Sequence, residues 1–249
     1  MRYLFLLTIC FLPNLLKAQT NTQGGLASYT FKASYMDRYI FRGHVFNDDP
    51  TMLGEFTFGI GKFSYDLVYT QPQDEALANW DQEFNHSVKF TTLQGRRVTD
   101  FGYRVYEYSG LIPDTQEIFT RVTHLTKWNP TYGLSIDFDT YKGYYLDYAI
   151  SRKTPLSRTF LMEYGLRGGI AYELDEKKND EGKITEQGFF NDDGFTSALA
   201  HLKVKWVPVP WLNLESGIQY HYSFDDRLYN DVIARDNTVW TSSVTVRFP

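Results

Sequence analysis

The sequence predicts an all-β fold, a closed antiparallel barrel of about twelve strands whose two ends lie on the same side. Three observations predict it. Apolar and polar residues alternate at period two in run after run, no segment of useful length repeats at the helical period, and the connections switch between short and long. The last stretch, Trp240 to Phe248, shows the pattern plainly: Val244, Val246 and Phe248 take one face, Thr245 and Arg247 the other. Such a strand is expected to pair with the first, which leaves no open edge.

The elements follow in order. Tyr29, Phe31, Ala33 and Tyr35 alternate with Thr30, Lys32 and Ser34, and the run leads into Tyr39 to Gly43 as the end of a first strand. Asn47-Asp48-Asp49-Pro50 is a turn signal. Phe56, Phe58 and Ile60 form a second run, and Gly61-Lys62 alone joins it to Phe63, Tyr65, Leu67 and Tyr69, a tight hairpin. The next runs hold Phe84 to Phe90, Phe101 to Val105, Ile118 to Val122, Tyr132 to Phe138, Tyr144 to Ile150 and Phe160 to Leu166. After the longest connection, Glu173 to Gly194, come Ala198 to Trp206, Leu212 to Tyr222 and the closing strand.

The odd-numbered connections are generally longer and acidic, with Asp48, Asp49, Asp74, Glu75, Asp81, Asp175 and Asp225; the even-numbered ones are generally short, and several are basic, with Lys62, Arg96, Arg97, Lys127, Arg152, Lys153 and Arg158. Short turns alternating with longer outer loops, an even strand number and both termini on the periplasmic side are what a bacterial outer-membrane barrel requires. Composition agrees. Mean hydropathy is −0.39 although 17% of the chain is aromatic, as when apolar residues are spread along strands and rings gather at membrane interfaces.

Met1-Arg2, the apolar Tyr3 to Leu12 and the Leu16-Lys17-Ala18-Gln19 junction read as a secretory leader cut after Ala18, its apolar run too short to span a bilayer. The expected organisation is a leader, residues 1–18, and one barrel, residues 19–249. Cleavage removes Cys10, the single cysteine, and with it thiol chemistry and thiolate metal sites. A net charge of −5 without a basic cluster argues against nucleic-acid binding.

With the apolar set facing lipid, the residues between face the lumen. The pore-lining candidates are Lys32, Glu55, Asp66, Lys89, Arg104, Glu117, Arg121, Asp147, Glu163, Arg167, His201, Lys203, Lys205, Glu215, His221 and Arg247, with Asp137 and Gln219 on the same register. Such charges facing lipid at mid-depth would cost about 2 to 4 kcal/mol each, which fixes the register. Acids and bases nearly balance, so weak ion selectivity is expected. A barrel of about twelve strands is wide enough to keep water between the charges; the opposing expectation is that paired charges, or the 173–194 connection folded inward, fill it.

Catalytic and metal-binding patterns are scarce. His86-Ser87 sets its two groups on opposite strand faces, the wrong spacing for a dyad. Asp137 and Asp139 share a face near the outer rim, a pair able to activate water, although a solvated loop end is the plainer reading. Asp192-Asp193 and Asp225-Asp226 lack the spacing of a calcium loop. No cofactor, metal or enzymatic activity is expected.

Tyr39-Ile40-Phe41-Arg42-Gly43, the acidic Asp48-Asp49-Pro50 and Gly54 at the head of the next strand resemble the opening of an uncharacterised bacterial outer-membrane family labelled Gcw_chp. Its members read Ser-Asp-Tyr-x-x-Arg-Gly; here Asp37-Arg38 precede Tyr39, and the matching positions are Tyr39, Phe41, Arg42, Gly43 and Pro50. The motif covers about residues 35 to 60. The resemblance implies a secreted β-barrel without an established activity, similar in plan to small channel-forming barrels. On the residues alone, Gly43 is expected to take a positive φ at the strand end and Arg42 to pair with Asp48 or Asp49.

The function expected is a passive channel for small hydrophilic solutes in the outer membrane of a Gram-negative bacterium. Its expected partners are outer-membrane lipid, those solutes and the barrel-assembly machinery, met through the C-terminal strand. The alternatives are a closed structural or partner-binding barrel acting through its outer loops and, further off, a barrel hydrolase.

Overall fold

The computed structural model describes residues 27–73, 80–110, 113–186, 188–228 and 234–248; the expected leader lies outside them. Twelve strands form the wall: β1 Ala27–Met36, β2 Thr51–Ile60, β3 Phe63–Pro72, β4 Trp80–Gln94, β5 Arg97–Gly110, β6 Thr115–His124, β7 Thr131–Asp137, β8 Gly143–Pro155, β9 Phe160–Tyr172, β10 Gly194–Val209, β11 Leu212–Ser223 and β12 Asp236–Phe248. Each pairs antiparallel with its sequence neighbours, and β12 closes on β1 with Phe31 opposite Val246 and Lys32 opposite Thr245. Closure gives every strand a hydrogen-bonded neighbour on both sides and leaves no open edge, which is the condition for crossing a bilayer without helices.

The register sorts side chains as the alternation predicts. Phe63, Phe101, Tyr132, Leu166 and Trp240 point outward and are each more than half exposed. Rings pair across neighbouring strands on this outer face, as in Phe31–Phe56 at 4.9 Å and Tyr69–Phe84 at 4.7 Å. A soluble protein rarely exposes contiguous apolar surface beyond about 600 Å², so this wall is built for an apolar surrounding.

Two features differ from the sequence reading. Strands run past the ends that the apolar runs mark; β8, for example, continues through Arg152 and Lys153 to Pro155, because the ladder persists where side chains have become polar. The first strand, in turn, stops at Met36. There the Trp240 N–H donates to Asp37 Oδ1 at 2.8 Å, and the chain leaves the wall. Tyr39–Phe41 and His44–Asn47 form a separate small hairpin that folds into the barrel.

Candidate functional site

The hairpin turns on Arg42 and Gly43, whose φ angles are +51° and +89°. Two successive positive φ values mark the tight-turn class that matches strand twist, normally filled by Asn-Gly. Arginine is not a default there, and its conformation is held from outside the hairpin. Arg42 Nη2 donates to Glu117 Oε2 at 2.5 Å, and its guanidinium lies 4.4 Å from the Tyr145 ring centroid. Burial alone would lower the Arg42 pKa, but the Glu117 carboxylate outweighs it and holds the guanidinium charged. Gly43 packs against the far wall: Ser223 Oγ donates to its carbonyl at 3.0 Å, and a Cβ placed there would lie 2.4 Å from Ser197 Cβ. Arg42 therefore does not pair with Asp48 or Asp49; Asp48 is taken by Arg38.

Around this tip the loop-side half of the lumen is filled. Tyr39 is buried beside Leu53 and donates to Glu83 Oε2 at 3.2 Å. Phe41 meets Tyr106 and Phe189 edge-on, at 5.7 and 6.1 Å. Phe46 stacks on Tyr108. From the β9–β10 connection, Leu174 and Phe190 join Tyr145, Ala171 and Leu228 in a second buried cluster. Asp225 accepts the N–H groups of Asn191 and Asp192, at 3.0 and 3.3 Å, and so ties that connection to the one before β12.

Below this plug the inward side chains form a girdle of ion pairs. Lys32 pairs with Glu55 at 2.5 Å, Lys89 with Asp66 at 3.3 Å, and Arg104 with Glu117 at 2.9 Å. Arg121 and Arg167 share Asp147, at 3.9 and 3.4 Å. The first of these contacts reaches across β7 because Gly133 offers no side chain; a Cβ there would sit 2.1 Å from Asp147 Oδ2. Lys205 bridges Glu163 and Glu215 at 2.9 Å each, and Lys203 pairs with Glu215 at 3.1 Å. His201 is 3.9 Å from Glu163, and His221 shares a hydrogen bond with Gln219 at 3.1 Å.

A cavity of about 320 Å³ opens toward the terminal side, lined in part by Lys32, Glu55, Lys203, Lys205, Glu215 and Arg247. Four cations against two carboxylates leave this lining at a net +2. Glu83, Tyr106, Tyr108 and Tyr145 also face inward by register, although the sequence reading did not single them out; Lys153, read from sequence as a basic turn residue, lies in β8 opposite Glu163 and faces inward. Tyr144-Tyr145 was the available signal, since adjacent rings on one strand must take opposite faces.

Asp137 is not half of a reactive carboxylate pair. It is buried and accepts Thr115 Oγ1 at 2.6 Å, together with the N–H groups of Asp139, Tyr141 and Lys142. It caps the turn into β8, and Asp139 stands exposed.

Among solved structures, the chain is similar to the KdgM porin, with a TM-score of 0.55 and 11% identity over 89% of this chain and 99% of that one. A NanC porin gives a TM-score of 0.51 and 12% identity over the same shares. The fold is that of these porin barrels. A second KdgM structure, titled as a complex with disordered oligogalacturonate, gives 0.53 and 10% identity, again over 89% and 99%. No family model and no curated protein matches the chain.

Proposed function

We propose that this chain is an outer-membrane channel for small hydrophilic solutes, weakly ion-selective and narrowed on its loop side by the inward hairpin. The observation that carries the reading is a closed twelve-strand wall, apolar outside, around a cavity of about 320 Å³ lined by paired charges. The candidate lumen residues act in it as screening and hydrogen-bonding groups, none as a catalyst. The net +2 of the lining favours anions slightly. Likeness to porin barrels supports the fold on which this rests. Export by the 1–18 leader, assembly through β12 and kinship with the Gcw_chp barrels by way of Tyr39, Phe41, Arg42, Gly43 and Pro50 belong to the same proposal.

A second reading, a closed structural or partner-binding barrel, is favoured by one observation: Phe41, Phe46, Phe189, Phe190 and Leu228 fill the loop-side half of the lumen. Single-channel recording of the refolded mature chain in a planar bilayer separates the two. Discrete steps, with neutral solutes excluded by size, support the channel. Folded, inserted protein that never conducts supports the closed barrel.

A further inference from the structure

The turn-side rim carries a feature that solute passage does not use. The five short turns, residues 61–62, 95–96, 125–130, 156–159 and 210–211, hold Lys62, Arg96, Lys127 and Arg158 and no Asp or Glu. Just above them, Arg152 occupies an outward position on β8, in register with Tyr164 on β9. Its guanidinium carbon is 5.7 Å from the Trp128 ring centroid, and Trp128 meets Tyr164 edge-on at 5.9 Å. The main chain at Trp128 is anchored to the wall, because the Ser151 N–H donates to the Trp128 carbonyl at 2.9 Å. Glu163, the one carboxylate of β9, faces inward and is bound by Lys205 and Lys153. No carboxylate of the described residues pairs with Arg152. On the loop side, by contrast, Arg38 pairs with Asp48 and Lys177 with Glu186.

A guanidinium on the lipid-facing wall, three residues from its strand end, sits near the depth of headgroup phosphates and carries five N–H donors. We propose that Arg152, Trp128 and Tyr164, with Lys127 alongside, form a binding site for the phosphate of an anionic phospholipid in the leaflet at the turn side. The inference rests on the membrane-barrel reading. Arginine supplies a paired-donor fork to phosphate oxygens. Trp128 orients that fork from beneath, and its exposed face covers the first acyl carbons. Lys62, 6.0 Å over the Phe90 ring, repeats the cation-over-ring arrangement with an ammonium point charge in place of the guanidinium fork.

The test refolds the full mature chain into vesicles of phosphatidylcholine with a minority of phosphatidylglycerol, extracts it gently and counts retained lipids by native mass spectrometry. Wild type is expected to retain phosphatidylglycerol in preference to phosphatidylcholine. Arg152→Gln and Trp128→Leu should each lower that preference roughly fivefold, and Arg158→Gln, which removes the same charge from the same rim without a ring beneath it, should leave it unchanged. Equal loss in Arg158→Gln, or none in Arg152→Gln, overturns the site. Inserted wild type that retains both lipids equally overturns the site alone; wild type that inserts into no vesicle overturns the barrel reading as well.

Discussion

Arg42 Nη2 lies 2.5 Å from Glu117 Oε2, which joins the tip of the inward hairpin to the wall at β6. Glu117 is wholly buried and also accepts Arg104, Tyr106 and Ser135. Removing one partner of a buried pair costs about 3 to 5 kcal/mol when the other is left uncompensated. In Glu117→Gln, both arginines lose their carboxylate.

The variant is therefore expected to loosen the plug. A cost of about 3 kcal/mol is more than a hundredfold in the balance between a seated and a released hairpin. Conductance in planar bilayers should rise severalfold over wild type, with longer open times. An unchanged trace from folded variant protein would show that the hairpin does not limit the path.

Gly43→Ala tests the same hairpin from its other side. At φ +89° a side chain is strained, and the new methyl would meet Ser197 Cβ at 2.4 Å. The hairpin should leave its seat, exposing Arg42 to added trypsin and raising conductance. Gly61→Ala, at φ +60° with nothing within 4 Å, should cost about 1 kcal/mol and leave conductance as it was. Matching behaviour of the two variants would mean that the Ser197 contact does not hold the plug.

The wall was legible in the sequence because each strand states its own orientation: one apolar residue in every two suffices, and each turn is local. The plug was not. Tyr39 and Phe41 keep period two, so they read as a continuation of β1. What breaks the strand is Asp37 receiving the N–H of Trp240, a contact between opposite ends of the chain. The partner of Arg42 is likewise 75 residues away, while Asp48 and Asp49 were near at hand. In the 173–194 connection, inward folding is the alternative the sequence leaves open, and Phe189-Phe190 within so acidic a stretch is its visible trace. The lumen charges were recoverable one by one from alternation. Their pairing across β7 was hidden, since it depends on a missing side chain at Gly133.

Ion preference follows from the cavity on the terminal side. Among the described residues Arg247 lines it without an ion pair, whereas Lys32, Lys203 and Lys205 are paired. Under a salt gradient, wild type is expected to show a small anion-favouring reversal potential. Arg247→Glu changes the lining by two charges, from +2 to neutral, and should remove that preference without disturbing the girdle. A strongly cation-selective wild type would contradict the placement of these residues along the conducting path.

Neighbouring residues on β9 test the orientation of the wall itself. Leu166 faces outward and is more than half exposed, while Arg167 faces inward to Asp147. Leu166→Arg places a charge against lipid near mid-strand, at an expected cost of about 2 to 4 kcal/mol. Arg167→Leu loses a partly exposed ion pair, worth about 1 kcal/mol or less. Denaturant titration of both variants in vesicles, followed by tryptophan fluorescence, should separate the midpoints in that order. In detergent-free water the outward arginine would carry no such penalty, so the size of the Leu166→Arg effect reports directly whether this face of β9 meets hydrocarbon.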